Sequence, residues 1–309
     1  MKCRKCGGKA VINLMQHHMG LCKEDYLAWV PEQVEKVIQK YRMFGKDARI
    51  LVAVSGGKDS LALWDILTRL GYRADGLYIG LGIDGGVNYS AESQRLTEQF
   101  AAQHGLKLHV ESVPETYGAS IPQIAARTHR GQGAPCSVCG LSKRHIMNRL
   151  AQEGSYDVLA TGHNLDDEAA VLFGNTLRWA GGYLVRQGPV LEADKPGLAR
   201  KVKPLCRMYE RDMAAYALLR GIEYIYEECP HAVGATSIEH KELLNQLEAT
   251  HPGIKLQFYS LFLQAKKDGL FTPQAQSDPD AADLHACPTC GQPTSAMGEC
   301  AFCKMMKKV

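Results

Sequence analysis

Apolar residues along this chain fall into short continuous runs, separated by longer stretches in which they recur at helical spacing. Ile50 to Val54 is an apolar, β-branched run, the pattern of a buried strand. Ser55-Gly56-Gly57 breaks it, and a helix is predicted over 58–70 with Leu61, Leu63, Trp64 and Leu67 as its apolar positions. Ala74 to Ile79 reads as a second strand, 81–86 as a glycine-rich turn and 90–104 as a helix. Leu106 to Val110 is a third strand, and Asp157 to Thr161 a fourth, followed by a helix from Asp166. Lys201 to Leu205 and Glu223 to Tyr226 are weaker strand candidates. Upstream, Pro31 to Phe44 forms an amphipathic helix with proline in its first turn and Val34, Val37, Ile38 and Tyr41 on one face. Downstream, 236–267 is helical, and 272–280 is a polar, proline-bearing linker. Alternating strands and helices predict an α/β fold with a doubly wound parallel sheet. In such sheets ligands sit at the carboxyl ends of the strands, where strand order reverses. The stretches 55–60, 80–86 and 161–168 all fall at those ends.

The first of these, Ser55-Gly56-Gly57-Lys58-Asp59-Ser60, joins a strand to a helix. Paired glycines let the backbone approach a ligand, and free N–H groups at a helix start make an anion seat. Lys58 adds positive charge, Ser55 and Ser60 add hydroxyls, and Asp59 is a candidate Mg²⁺ ligand. A Walker A loop is excluded, because Val52 and Asp59 stand where that motif needs glycine and Ser or Thr. The residues resemble instead the Ser-Gly-Gly-x-Asp-Ser loop of the PP-loop ATP pyrophosphatases, which cleave ATP between its α and β phosphates. The other reading is an ordinary glycine turn. Thr161-Gly-His-Asn-Leu-Asp-Asp-Glu-Ala is the second such stretch: Gly162 permits close approach, and Asp166, Asp167 and Glu168 put carboxylates on a first helical turn. There they suit the helix dipole and a Mg²⁺ shared with Asp59 and ATP. Plain N-capping accounts for one or two of them.

Composition adds one unusual feature. The eleven cysteines form three groups and a singleton, at spacings that suit metal better than disulfides. Cys3-x2-Cys6 with Cys22 opens the chain, and the fourth donor is Asp25 by spacing, with His17 or His18 as alternatives. A knuckle this short has no core of its own, so metal would supply much of its folding energy. Cys287-x2-Cys290 and Cys300-x2-Cys303 close the chain as a Cys₄ zinc pattern, followed by Lys304, Lys307 and Lys308. Cys136 and Cys139 lie just before a helix running to Leu150, and Cys229 lies in Glu-Glu-Cys-Pro. Three such thiols suit an iron–sulfur cluster with one open iron, a redox pair, or zinc with a further ligand. Cys206 stands apart as a structural residue. The domain reading is therefore 1–30 as an N-terminal zinc module, 31–270 as the catalytic domain, and 271–309 as linker and zinc ribbon. A net charge of +3 permits a nucleic-acid partner without demanding one. No apolar run approaches the ~20 residues of a membrane span, and the first residues are not those of a signal peptide, so a cytoplasmic protein is expected.

Together, in this order, these motifs resemble the TtuA-type tRNA 2-thiouridine synthetases, relatives of the TtcA-type thiolases and the cytosolic thiouridylases. The resemblance covers essentially the whole chain, and the zinc modules favour the first group. It implies that Cys136, Cys139 and Cys229 hold a [4Fe–4S] cluster whose unique iron binds sulfide. It implies that Ser55, Gly56, Gly57, Lys58, Asp59 and Ser60, with backbone at Ala53, Val54, Ile79 and Gly162, bind Mg²⁺-ATP. It implies that Lys143 and Asp167, with Asp59, are catalytic, and that two zinc ions occupy the terminal modules. The implied reaction adenylates a tRNA uridine at O2, T-loop favoured, and then exchanges that oxygen for sulfur. The implied donor is a thiocarboxylated ubiquitin-like protein or another sulfide carrier, and the implied assembly is a homodimer. Adenylation turns a poor leaving oxygen into a phosphate ester, and Lys143 would neutralise charge on the transferred group; outside the family it reads as a solvated lysine. Asp25 departs from the family, where histidine often closes the first zinc site. Arg127, Arg130, Arg144, Lys201 and Lys203 are candidates for a basic rim that meets the RNA. The alternatives are thiolation of the wobble uridine or an anticodon-loop cytidine, an iron-free amide-forming synthetase, and a non-catalytic zinc-ribbon RNA adaptor.

Overall fold

Residues 50–54 form a strand in the middle of a six-stranded sheet. The computed structural model describes residues 1–308 apart from 87, 132–134, 194, 233 and 272–283, so the linker expected over 272–280 lies outside the described residues. The chain opens with an antiparallel pair, β1 (Ile12–Leu14) and β2 (Met19–Leu21), and then α1 (Lys23–Lys40). Next come β3 (Arg49–Val54), α2 (Lys58–Arg69), β4 (Arg73–Gly80), α3 (Tyr89–His104) and β5 (Leu108–Ser112). Short helices α4 (Val113–Tyr117) and α5 (Ile121–Ala126) precede α6 (Cys136–Glu153), β6 (Val158–Thr161), α7 (Leu165–Leu177) and α8 (Gly181–Arg186). β7 (Val190–Leu191), β8 (Lys201–Val202), α9 (Glu210–Arg220), α10 (Thr236–Thr250) and α11 (Ile254–Lys267) complete the main body. β9 (His285–Ala286), β10 (Pro293–Thr294) and α12 (Ala301–Met306) form the C-terminal ribbon.

The sheet order is β5-β4-β3-β6-β8-β7, parallel except for β7 at one edge. The chain winds outward from β3 through β4 to β5, then returns to place β6 on the other side of β3. The order therefore reverses between β3 and β6, and the loops after these two strands flank the switch point. β3 is apolar throughout its interior because helices cover both faces. Ile50, Val52 and Val54 face a core built with α1, α2 and α9, while Leu51 faces Leu77, Ala151 and Leu159 on the opposite side. Trp64 of α2 is fully buried there, its indole N–H donating 2.9 Å to the Ala74 carbonyl.

Several elements differ from expectation for identifiable reasons. α1 begins at Lys23, because the Cys22 sulfur caps it by accepting from the Asp25 amide at 3.4 Å. Pro31 therefore lies inside the helix rather than in its first turn, where it forfeits one internal hydrogen bond. β5 begins at Leu108, since the Leu106 amide instead closes the end of α3 on the Ala101 carbonyl. Only 201–202 of the expected strand at 201–205 pairs in the sheet, because Pro204 has no N–H and the chain turns there. Glu223 to Tyr226 is no strand; the Ile225 amide donates to Gly56 O at 2.9 Å, so this segment crosses the glycine loop. The N-terminal knuckle is not without a core: Cys3, Ile12, Leu14 and Leu21 are buried in the same cluster as β3.

Candidate active site

The loop 55–60 is braced from within. The Ser60 hydroxyl accepts from the Ser55 amide at 3.1 Å and donates to Gly57 O at 3.0 Å. Gly56 has φ +75°, and a Cβ there would meet Ser93 O at 2.5 Å, so no other residue fits. α2 starts at Lys58 with no side-chain cap, leaving its first amides for an anion. A cleft of about 130 Å³ opens beside the loop, lined by Ala53, Val54, Ser55, Leu77 and Ile79 together with Cys139, Lys143 and Cys229. Its volume is below the ~300–1,000 Å³ of a whole small-molecule site, so it suits only part of a nucleotide. Its largely apolar lining is appropriate to a base.

Around the loop mouth the charges close into a ring. Lys58 Nζ lies 3.0 Å from Asp59 Oδ2 and 2.7 Å from Glu210 Oε1. Lys241 Nζ lies 3.0 Å from Glu210 Oε2 and 2.6 Å from Asp167 Oδ1. Asn164 joins the ends, its amide side chain donating to Asp59 Oδ1 at 3.1 Å while it forms a reciprocal capping box with Asp167. Burial alone would lower the pKa of Lys58, but Asp59 and Glu210 hold it above the ordinary lysine value. Burial raises Asp59, only partly offset by Lys58 and Asn164. Burial would raise Glu210 as well, yet Lys241 and Lys58 bring it down to about 2. Asp59 and Asp167 are thus linked through one asparagine at the switch point, and both are suited to a divalent cation.

Asp166 and Glu168 are not part of this ring, contrary to the expectation that the three carboxylates would share Mg²⁺. Asp166 is buried, paired with Lys255 Nζ at 2.5 Å, and accepts from the Glu210 amide. Glu168 is buried against Lys203 Nζ at 2.7 Å and the Tyr259 hydroxyl at 3.1 Å. Helical geometry sends neighbouring residues to different faces, so one carboxylate faces the site and its neighbours anchor α7. The same pair removes Lys203 from the expected basic rim. Arg127, Arg130 and Arg144 are exposed, while Lys201 is half-buried, its pKa lowered by burial and then by Arg144.

Cys136 and Cys139 lie within α6, in its first turn, rather than before the helix. The i, i+3, i+7 spacing puts Cys136, Cys139 and Lys143 on one face. Burial raises the Cys139 thiol, partly offset by Lys143, and Cys229 and Cys136 raise it further. Cys229 lies beyond the strap that donates to Gly56. Gly85 packs so tightly on Pro230 that a Cβ would come within 2.0 Å of its Cγ, which holds the cysteine segment against the 81–86 turn. All three are free thiols. Among the described residues they do not form a set with every donor atom within 4.8 Å of the others. Two thiolates on one zinc can lie no more than about 4.6 Å apart, twice a Zn–S bond, so the three thiols as placed do not frame a single zinc ion.

Two other sets do meet that limit: Cys3, Cys6, Cys22 and Asp25, and Cys287, Cys290, Cys300 and Cys303. Asp25 Oδ2 lies 2.9 Å from Cys3 Sγ and 3.2 Å from Cys22 Sγ. His17 packs edge-on against Trp29 instead, and neither it nor His18 belongs to the set. Cys206 is fully buried, its thiol pushed up to about 12 by burial, in keeping with a structural role. Sequence motifs do not reveal Glu210 or Lys241; each stands alone on its own helix and only the fold brings them to the loop.

Comparison with known proteins agrees with this geometry. Residues 30–231 match the PP-loop domain model, and residues 2–27 match the N-terminal LIM domain of the 2-thiouridine synthetase TtuA. The chain is 48% identical to the tRNA-5-methyluridine(54) 2-sulfurtransferase of Thermus thermophilus, over all of this chain and 92% of that one. It is 41% identical to the Pyrococcus horikoshii protein of the same name, over 98% of this chain and 93% of the relative. Its fold is similar to that of the U34-tRNA thiolase NcsA from Methanococcus maripaludis, solved with its [4Fe–4S] cluster, at a TM-score of 0.80 and 23% identity over 100% and 96% of the two chains. A loop, a switch point and a cysteine pattern read from residues thus meet a full-length likeness, and the chain belongs to the TtuA family of PP-loop tRNA 2-thiouridine synthetases.

Proposed function

We propose that this chain uses ATP to replace the C2 oxygen of the uridine at position 54, in the T-loop of tRNA, with sulfur. The observation that carries the reading is the shared cleft: Ser55 of the glycine loop lines the same cavity as Cys139, Lys143 and Cys229. One bound base can therefore meet both halves of the chemistry without leaving. The free amides of α2 and Lys58 hold the phosphates, and Asp59 and Asp167 hold Mg²⁺. The uracil O2 attacks the α-phosphorus, the bond to the bridging oxygen breaks, and pyrophosphate leaves. Lys143 balances charge on the adenylated base. Cys136, Cys139 and Cys229 would hold a [4Fe–4S] cluster, which with three protein thiolates keeps one iron open to carry sulfide. C2 then gains sulfur and AMP departs. The T-loop position follows the relatives at 41–48% identity, whose names specify uridine 54.

The sulfur comes from a thiocarboxylated ubiquitin-like protein or another sulfide carrier, and the enzyme acts in the cytoplasm as a homodimer. Among the described residues no helix is long and apolar enough to cross a membrane. Two measurements test the reading. Anaerobically purified protein should absorb broadly near roughly 400 nm, as thiolate-ligated iron clusters do, and Cys229→Ala should lose that band while retaining zinc. Mass spectrometry of tRNA nucleosides from cells lacking the protein should show loss of 2-thiolated 5-methyluridine. Unchanged thiolation in those cells, or full activity of iron-free protein, would refute it.

A further inference from the structure

We infer that Lys241, on α10, is a phosphate-binding residue for ATP that exchanges its carboxylate partners for the nucleotide when Mg²⁺ arrives. This rests on the nucleotide site proposed above and goes beyond it, because α10 lies outside the matched PP-loop segment, which ends at 231.

The geometry is specific. Lys241 Nζ is 2.6 Å from Asp167 Oδ1 and 3.0 Å from Glu210 Oε2. Lys58, the lysine of the glycine loop, is held in the same manner by Asp59 and the other oxygen of Glu210. Each lysine thus neutralises one candidate magnesium ligand, and Glu210 holds both at the loop mouth. The five charged side chains sum to one negative charge, so the free site repels a bare polyphosphate unless the arrangement changes. Mg²⁺ supplies the change. A dication held by Asp59 and Asp167 would take over the neutralisation of those carboxylates, leaving both ammonium groups free to turn about Glu210 toward phosphate oxygens. Lysine is suited to such an exchange, being a compact charge on a long flexible stem with three donors. Lys241 is also half-buried, so it need not be recruited from solvent. The outcome is a cradle with cations on both sides, one from α2 and one from α10.

The exchange predicts effects of opposite sign from one substitution. In Lys241→Met, binding of α,β-methylene-ATP with Mg²⁺, measured by calorimetry on the full chain, should weaken about tenfold to a hundredfold, the loss of one charge-assisted hydrogen bond. Binding of Mn²⁺ without nucleotide, followed by electron paramagnetic resonance, should tighten, because Asp167 no longer has a competing cation. Lys241→Arg should keep nucleotide binding near the wild-type value. Unaltered nucleotide binding in Lys241→Met overturns the assignment. Weakening of nucleotide and Mn²⁺ together overturns it as well, since that marks a residue that only maintains the shape of the site. If the wild-type chain itself fails to bind the analogue, the underlying nucleotide site is lost with it, and the two failures are thereby told apart.

Discussion

At the two ends of the chain, four donors converge within 4.8 Å of one another, whereas Cys136, Cys139 and Cys229 at the cleft do not. The end sites are built alike. Cys22 caps α1 and accepts from the Asp25 amide, and Cys300 caps α12 and accepts from the Cys303 amide. In each, the third donor is the helix cap and the fourth lies three residues on, which places the Asp25 carboxylate where a ligand is needed although it is no cysteine. Carboxylate oxygen is an ordinary zinc donor, so the set stays closed. The cleft is built differently: two thiols come from the first turn of α6, the third from a strap tied to the glycine loop. A closed four-donor set is suited to fixing structure, whereas three thiols beside the glycine loop would leave one position of a bound cluster open for chemistry.

The largest expected effect separates these two kinds of site. Cys139→Ala should abolish tRNA thiolation with only a small fall in melting temperature, since the half-buried thiol lies at the edge of an apolar cluster and alanine keeps part of that contact. Cys300→Ala should do the reverse in order of severity: loss of one zinc and a marked fall in stability, because metal supplies much of the folding energy of such small modules. Activity should fall as a consequence, since the ribbon props α6, with Phe302 stacked on His145 at 3.8 Å and Gln292 bonded to Asn148 at 3.0 Å. Metal counts, melting curves and nucleoside analysis on both variants check this. Equal losses of stability in the two would erase the distinction.

A smaller effect tests the same principle among carboxylates. Glu168→Gln leaves Lys203 buried without a countercharge and should cost about 3 kcal/mol of stability. Asp167→Asn keeps the capping acceptor and should leave stability nearly unchanged, yet lower Mg²⁺-dependent ATP cleavage at least about tenfold by removing a charged ligand. Melting temperature and pyrophosphate release, measured on both, should give opposite rankings.

These contrasts mark how far the residues alone can be read. The central strand, the glycine loop and the paired terminal modules are legible because each has a local pattern: an apolar run, a turn signal, a metal spacing. The partition of Asp166, Asp167 and Glu168 is not, because their separate fates depend on Lys255, Lys203 and Lys241 from distant parts of the chain. Glu223 to Tyr226 has the composition of a strand, but the loop it crosses claims its amide. The start of α1 is hidden for a similar reason. Proline is a strong helix-start signal, and here the Cys22 cap, well upstream of it, outweighs that signal.

The smallest effect concerns how the N-terminal knuckle is joined to the main body. Asp212, buried at that seam, accepts from the Gln16 side chain at 3.0 Å, while its own backbone carbonyl accepts from the Tyr26 hydroxyl at 2.6 Å. Burial raises its carboxyl to about 7; Asp166 adds to the shift, while Arg211, Gln16 and Lys255 oppose it. The folded pKa lies above the unfolded one, so the folded state holds this proton more tightly. The resulting stability is complete below about pH 4 and is lost as pH rises through about 7. An asparagine side chain does not titrate and would carry no such dependence. The stability of Asp212→Asn relative to the wild type should therefore rise between pH 5 and pH 8 by on the order of 2 kcal/mol, roughly 5 °C in melting temperature for a chain of this size. Because the end site is closed by its own donors, zinc content should not change at either pH. A stability difference that is the same at both pH values would mean that the seam is held by packing and not by a buried, proton-bearing carboxyl.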